Sequence, residues 1–295
     1  MNEASLQRTE MFEERRHLDG MHARKMRAIP GYFRRRILVN ETINLIQNRR
    51  SVRTFSDKPI DRETTDTILH AAMRAPTAGN MMLYSIIEVV EQDIKEKLAK
   101  SCDNQPFIAQ ASLLLLFLAD YQRWFDFFIA SDVMACCEAE GLPLRYPGEG
   151  DLLLACCDAL IAAQTAVIAA ESLGIGSCYI GDIMEQYEYH KALFDLPQYV
   201  FPVALLCFGY PRETASSPQP SPRFAPSYIH FENKYRRLDD DALTEMFAPR
   251  ERRHYPGVAR NFGQYVYARK FSADFAVEMT RSVRKALETW IGEHA

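Results

Sequence analysis

The sequence predicts an α+β or α/β layered fold in which about four strands are enclosed by helices. Helix-like and strand-like segments alternate along the body of the chain. A continuous apolar run from Ser112 to Leu118 is typical of a buried central strand. A nearly all-apolar helix, Leu152 to Leu173, must be buried on most of its sides, either in a core or at a subunit interface.

Length and composition are those of an ordinary globular protein. The 295 residues suffice for one large domain or two smaller ones, and 47% of them are hydrophobic and 25% charged. A sizeable hydrophobic core is therefore possible. The net charge of −4 gives no reason to expect nucleic acid or an anionic membrane as a partner.

Location can be predicted from the termini, the apolar runs and the cysteines. The N-terminus lacks the apolar segment of a secretory signal, and the longest apolar run, Leu113 to Ala119, is too short to span a bilayer. The seven cysteines are odd in number and lack Cys-x-x-Cys spacing, so we expect reduced thiols in a cytoplasmic protein. The adjacent pairs Cys136-Cys137 and Cys156-Cys157 could be redox-active or bind metal, although neighbouring side chains diverge on a helix.

The arm and the first two helices are predicted from charged, proline and capping residues. Residues 1–40 are charged throughout and predict an N-terminal helical arm that packs on a partner subunit. A helix is expected from Thr42 to Asn48. The next helix follows Pro59, with Asp61 as its N-cap, and must stop at Pro76.

The remaining body alternates strands and helices. Strands are predicted at Ser85–Val90, at the central apolar run, at Cys178–Gly181 and at Val200–Phe208. Helices are predicted at Ile94–Ala99, within 121–139, and at Leu152–Leu173, which Gly174 ends.

The last part of the chain changes in composition. A proline-rich connector runs from Ser216 to Arg223, and residues 237–295 read as a helical tail whose amphipathic last helix carries Trp290. The predicted domains are thus an arm over 1–40, a body over 41–236 and a helical extension over 237–295.

Two short motifs carry the functional prediction. Arg49-Arg50-Ser51-Val52-Arg53 crowds three guanidinium groups around one hydroxyl, an arrangement suited to phosphate. Ala75-Pro76-Thr77-Ala78-Gly79-Asn80 is a small-residue loop that lets backbone groups approach a flat polar ligand. Together they indicate a phosphorylated, ring-bearing cofactor. A solvated arginine-rich face and an ordinary turn are the plainer interpretation of the same residues.

Five landmarks in order give the chain a family resemblance. The two motifs above are followed by Asn104-Gln105, by Ala170–Gly176 running into Tyr179-Ile180-Gly181, and by Gly209-Tyr210-Pro211 leading to Pro222-Arg223 and His230–Tyr235. Over roughly residues 41–236 the chain resembles the FMN-dependent nitroreductase family. Within that family it is most similar to the larger oxygen-insensitive NADPH-type nitroreductases and flavin reductases.

The resemblance implies an α+β fold with a central mixed sheet flanked by helices, in an intertwined, obligate homodimer with two FMN molecules at its interface. On that basis Arg49, Arg50, Ser51 and Arg53 hold the phosphate and one flavin edge, and Arg223 returns to the phosphate. Pro76, Thr77 and Asn80 approach the ring from the other subunit, Gln105 touches its polar edge, and Tyr179, Ile180 and Gly181 line its face.

The chain departs from the family pattern at two positions. Ser221 stands where this subgroup usually has lysine, so a phosphate cation is missing unless Arg212 or an N-terminal arginine replaces it. Asp182 stands where a second glycine is usual. There it would lower the flavin reduction potential, or it would simply cap the helix that follows; we favour the cap.

The resemblance also implies a mechanism in which flavin N5 carries the hydride, so no catalytic side chain is needed. NADPH or NADH would reduce the flavin, and a nitroaromatic, quinone or related electron-poor small molecule would then take two electrons in a ping-pong cycle. We favour NADPH, with Arg250 and Arg253 as candidates for its extra phosphate, although a solvated helix end explains the same arginines equally well. The sequence shows no Ser-His-Asp or Cys-His arrangement and no metal-ligand spacing.

Two other functions stay open at this point. The first is a specialised flavoenzyme of the same fold, such as a dehalogenase, a flavin-cleaving enzyme or a biosynthetic dehydrogenase, with residues 121–150 as its lid. The second is a non-catalytic FMN-binding redox sensor that uses Cys156 and Cys157.

Overall fold

The computed structural model describes residues 39–212 and 220–292. Most of the predicted arm and the Ser216–Gln219 part of the connector lie outside the described residues. By its internal contacts the chain divides into Met1–Asn44 and Leu45–Ala295. The second unit contains every strand described below and the helices of the tail.

One four-stranded sheet forms the centre of this unit. Its strands are β1 (Tyr84–Glu88), β2 (Leu113–Asp120), β3 (Gly176–Ile180) and β4 (Val200–Gly209). They lie in the order β1-β2-β4-β3, and every neighbouring pair is antiparallel. All four strands were predicted within a few residues. The mixed sheet that the resemblance implied is not observed: among the described residues, parallel pairing is limited to the isolated bridge between Ser51 and Ser177. Apolar strand sequences report burial on two faces and not strand direction, so this could not be seen beforehand.

Strand β2 is the centre of the core because its two faces are both covered. Leu113, Leu115 and Phe117 point into one hydrophobic cluster, and Leu114, Leu116 and Leu118 point into another. All eight residues of the strand are buried. The uninterrupted apolar run therefore reflects alternation between two cores.

The helices of the first half are α1 (Glu41–Asn48), α2 (Arg62–Met73), α3 (Gln92–Ser101), α4 (Gln122–Ala130) and α5 (Val133–Glu140). Asp61 caps α2, as predicted, by accepting a hydrogen bond from the Thr64 backbone N–H at 2.8 Å. The single helix expected within 121–139 is divided into α4 and α5. The break falls at Asp132, whose φ of +53° is left-handed and cannot continue a helix.

Helix α6 (Glu149–Ser172) is the longest element described. By length and composition it could cross a membrane, but nine of its residues are buried within the fold, and it packs on α2, β2 and β4. The Asp151 carboxylate accepts from the Gly148 N–H at 2.8 Å and so fixes the start of the helix. The opposite face of α6 stays exposed and apolar.

The remaining helices are α7 (Tyr187–Leu193), α8 (Asp240–Phe247), α9 (Phe262–Val266) and α10 (Asp274–Ile291). Helix α10 is part of the core: Trp290 is 1% exposed, and its Nε1 donates to the carbonyl oxygen of Gly148 at 3.1 Å. The Ser282 hydroxyl donates to Met184 and accepts from the Tyr187 N–H. The tail therefore completes the body of the protein.

Candidate cofactor site

The arginine motif lies along the outer edge of β3. Ser51 pairs with Ser177 in the parallel bridge, and the Val52 N–H donates to the Ser177 carbonyl oxygen at 2.9 Å. Val52 and Phe55 point inward and are buried, while Ser51 and Arg53 point outward and are exposed. The buried Val52 and Phe55 hold the segment against the sheet edge, and the polar residues of the motif are left on the outer side.

Two glycines let the motif approach the sheet. A Cβ at Gly176 would lie 2.5 Å from Val52 Cγ2, and a Cβ at Gly209 would lie 2.6 Å from Phe55 Cδ1. Neither position can hold a larger residue without moving the motif away. Gly176 and Gly209 thus allow the segment that carries the guanidinium groups to lie close to the sheet.

The edge that results is basic and half-buried. Burial raises the pKa of the Cys178 thiol, and Arg53 partly offsets this effect. Burial also raises the pKa of the Tyr179 phenol to about 12, against the opposing influence of Arg49. Neither Arg49 nor Arg53 forms an ion pair with any residue that the structure describes. The donor set fits a phosphate group, which can pair with two guanidinium groups at once.

Glu171 is the acid that faces this cluster. Its pKa is raised by burial, and Arg49 and Arg50 partly offset the rise. Its Oε1 is buried without a hydrogen-bond partner in the described structure. The sequence prediction missed this residue, although an acid near the end of an otherwise apolar helix is a visible signal.

The end of β3 brings two more predicted residues to the same place. The Gln105 amide donates to the Asp182 carboxylate at 3.0 Å, directly after Gly181, which is exposed. Tyr179 is half-buried, and its hydroxyl donates to Gln164 at 3.4 Å. The side chain of Ile180 is buried in the core, so only its backbone can face a ligand.

The favoured interpretation of Asp182 as a helix N-cap is wrong. Asp182 lies inside the 3₁₀ turn Asp182–Met184, whose cap is Gly181 and whose first N–H groups receive no side-chain bond. The Asp182 carboxylate accepts from Gln105 instead. A partner 77 residues away along the chain could not be seen from the local sequence.

The small-residue loop is anchored elsewhere. The Thr77 hydroxyl donates to the carboxylate of Asp158, which is 3% exposed and also accepts from the N–H groups of Ala78 and Leu83. Pro76 and Asn80 remain exposed, and Asn80 has a φ of +57°. Asp158 was missed by the sequence prediction, although it stands alone as a charged residue in the middle of an apolar helix.

Within one chain the two halves of the predicted site are held apart. The loop is bound to Asp158 and the arginine cluster faces Glu171, which are 13 positions apart on α6. At the rise of an α-helix this corresponds to about 20 Å. The structure therefore brings Arg49, Ser51, Arg53, Gln105, Tyr179 and Gly181 to one region and leaves Pro76, Thr77 and Asn80 in another.

Of the two predicted basic residues of the tail, Arg250 contacts the segment that carries Arg223. The Arg250 guanidinium lies 4.0 Å from the ring centroid of Phe224, the neighbour of Arg223 in sequence. Arg223 itself donates to the carbonyl oxygen of Ser221 at 3.3 Å, and Arg253 is exposed. Arg212, the candidate replacement for the missing lysine, pairs with Asp57 at 3.7 Å. No hydrogen bond or ion pair between described residues joins Arg223 to the arginine motif.

All seven cysteines are free, and each lies in the described part of the chain. Burial raises the pKa of Cys156 to about 12, which disfavours the reactive thiolate, and Cys157 is exposed. Among residues 39–212 and 220–292, no three His, Cys, Asp or Glu side chains are grouped as metal ligands.

Comparison with known proteins shows what the chain is similar to. The FMN reductase [NAD(P)H] of Bacillus subtilis is 32% identical over 207 residues, which cover 70% of this chain and 78% of that protein. The oxygen-insensitive NADPH nitroreductase of Salmonella typhimurium is 32% identical over 206 residues, with coverages of 70% and 79%. The structure of the NADPH:FMN oxidoreductase from Vibrio harveyi complexed with NAD+ matches with a TM-score of 0.68 at 25% identity, covering 84% of this chain and 98% of that one.

The sequence model of the Nitroreductase family matches residues 46–210, which include the arginine motif, the small-residue loop and all four strands. The match covers more than half of the chain, and the chain belongs to the nitroreductase family.

Proposed function

We propose that the protein is an FMN-dependent NAD(P)H oxidoreductase that reduces nitroaromatic, quinone or related electron-poor acceptors. The observation that carries this proposal is the Arg49–Arg53 motif laid on the edge of β3 beside the exposed Gly181 and the half-buried Gln105. The names of the relatives, which are FMN and NADPH reductases, support the same activity.

The residues at the β3 edge fall into two groups, one for the phosphate of FMN and one for its ring. Arg49, Arg50, Ser51 and Arg53 would bind the phosphate of FMN, with Arg223 as a further cation. Gln105, Tyr179 and the backbone of Ile180 and Gly181 would bind and orient the ring, since Gly181 has no side chain to cover it. Bound FMN supplies two-electron transfer through its N5 atom, so the chain needs no nucleophile of its own.

The second half of the site would come from a second copy of the chain. Pro76, Thr77 and Asn80 lie about 20 Å along α6 from the arginine cluster, too far to reach the same ring from within one subunit. Helix α6 exposes an apolar stripe, which we call the outer stripe, at helical spacing: Leu153, Cys157, Leu160 and Ile161. A homodimer that buries the outer stripe would bring the loop of one subunit to the arginines of the other.

The electron donor would be NADPH or NADH. Arg250 and Arg253 are the candidate residues for the extra phosphate of NADPH, and the packing of Arg250 on Phe224 links it to the segment that carries Arg223. We place the protein in the cytoplasm, where its seven free thiols would stay reduced.

The test is the absorbance spectrum of the purified protein, recorded before and after NADPH is added under nitrogen. We expect a flavin spectrum that bleaches and then recovers when nitrofurazone or a quinone is added. Arg53→Ala should retain less FMN, because it removes a charge-assisted contact worth about 1.5–3 kcal/mol. Arg284→Ala on α10 removes the same charge away from the site and should retain FMN fully. A colourless protein that does not take up FMN would contradict the proposal.

A further inference from the structure

Both N–H bonds of the Gln105 amide are already used within the chain. Nε2 donates to the Cys102 carbonyl oxygen at 2.9 Å and to Asp182 Oδ2 at 3.0 Å. Both partners can only accept hydrogen bonds, so the nitrogen and oxygen of this amide cannot be exchanged without losing both bonds. The backbone N–H of Gln105 donates to Ala99 at 2.8 Å and anchors the residue ahead of the Pro106–Ile108 turn.

The carbonyl oxygen of the Gln105 side chain has no hydrogen-bond donor among the described residues. The side chain is only half-buried. It adjoins Gly181, the exposed glycine at the end of β3. The Gln105 side chain therefore offers an acceptor, and not a donor, at this point of the site.

We propose that Asp182 is a positioning residue that orients the Gln105 amide so that its carbonyl oxygen accepts a hydrogen bond from an N–H group of the FMN ring. This inference rests on the proposed function. The polar edge of an isoalloxazine ring carries both C=O and N–H groups, so the orientation of the amide decides which of them is bound. Without the Asp182 acceptor, one of the two bonds that hold the amide disappears and the reverse orientation becomes accessible.

The surroundings of Asp182 give no other reason for an acid at this position. Its carboxylate does not cap the following turn, and its charge acts, together with that of Asp103, on the buried Glu185. Like charges placed together destabilise one another, so a carboxylate here is costly unless it makes a specific bond. The hydrogen bond from Gln105 is the bond that the structure provides.

The test is FMN binding to the apoprotein, followed by quenching of flavin fluorescence. Asp182→Ala should raise the FMN dissociation constant roughly tenfold, the equivalent of one lost oriented hydrogen bond. Asp182→Asn should bind within about threefold of the native protein, because an asparagine oxygen still accepts from Gln105. Asp103→Asn removes a neighbouring charge without touching Gln105 and should leave binding unchanged.

A double-mutant cycle separates positioning from a purely structural role. In a Gln105→Ala background, Asp182→Ala should have no further effect on the FMN dissociation constant. Additive effects, or an Asp182→Asn variant as weak as Asp182→Ala, would overturn the inference. If the native protein binds no FMN, the proposed function itself fails. If Arg53→Ala weakens binding while Asp182→Ala does not, the proposed function stands and only this inference is lost.

Discussion

At the scale of single residues, the buried side chain of Asp158 holds the small-residue loop in place. Asp158 satisfies three donors of the 77–83 segment from inside an apolar helix. A buried polar group is tolerated only when its hydrogen bonds are made, so these three bonds hold the loop against the helix. Sequence reasoning named the exposed residues of the loop and missed the acid that shapes it, because the two lie 80 positions apart.

Glu185 gives stability a pH dependence that can be measured. Its side chain is 5% exposed, and burial, followed by the charges of Asp182, Asp103 and Glu278, raises its pKa to about 7. The folded protein keeps a proton that the unfolded chain has released, so Glu185 costs stability as pH rises from its unfolded pKa of about 4.3 to neutrality. Glu185→Gln should therefore raise the melting temperature increasingly between pH 5 and 8, measured by thermal denaturation.

Glu188, on α7, should give stability the opposite pH dependence, because its pKa is lowered. Its ion pair with Arg281, at 2.8 Å, lowers its pKa to about 2. That pair contributes stability above the unfolded pKa, and the contribution is lost as pH falls towards 2. Glu188→Gln should thus lower the melting temperature at pH 7 and have little effect near pH 2. Parallel pH profiles of the two variants would contradict both assignments.

At the scale of elements, the contact between the arginine motif and β3 depends on Gly176. Gly176→Ala places a methyl group 2.5 Å from Val52 Cγ2, and such overpacking typically costs about 1–3 kcal/mol. We expect a lower melting temperature and weaker FMN retention, because the motif must move off the strand. Val52→Ala in the same chain should recover only part of both, because it removes Cγ2 but leaves the Val52 Cβ position 2.8 Å from the added methyl group.

Gly150 is the matched control for this substitution. It lies in the first turn of α6, and an added Cβ would meet no atom within 4 Å. Gly150→Ala should be neutral or stabilising by up to about 1 kcal/mol, since alanine is the better helix former. A loss of FMN in this variant equal to that of Gly176→Ala would show that the effect is not steric.

The outer stripe of α6 can be tested in the same way. Leu160 is 45% exposed, and a charge there cannot be buried against a partner without a large desolvation cost. Leu160→Glu should convert the proposed dimer to a monomer, measured by light scattering after size-exclusion chromatography. Val277→Glu changes an apolar residue that is 63% exposed on α10 and should stay dimeric. A Leu160→Glu protein that dimerises normally would exclude the outer stripe as the interface.

Most elements could be predicted from the sequence because their causes are local. The cap at Asp61 and the burial of β2 on both faces are determined by residues close to them in sequence. The break at Asp132 was not predicted, since the apolar pattern on both sides of it continues at helical spacing. Strand direction and the partner of Asp182 depend on contacts between distant segments, which local sequence patterns cannot predict.

At the scale of the whole molecule, the proposed site is shared between two chains, and mixing can test this. Arg53→Ala and Asn80→Gly each damage a different half of the site, and glycine tolerates the positive φ of Asn80. Heterodimers formed by refolding the two variants together contain one undamaged site. The mixture should regain about a quarter of native FMN occupancy, whereas each variant alone should not. No recovery in confirmed heterodimers would mean that both halves act within one chain.

Helix α6 has a further consequence through its two faces. The inward face holds the loop through Asp158, and the outward face is the proposed contact with a partner. A ligand that binds only the assembled pair stabilises that pair by mass action, and dilution that separates the subunits releases the ligand. The quantity of flavin that each chain retains is then a property of its abundance in the cell: a scarce protein would be largely colourless, and rising expression would itself switch the population towards the loaded form.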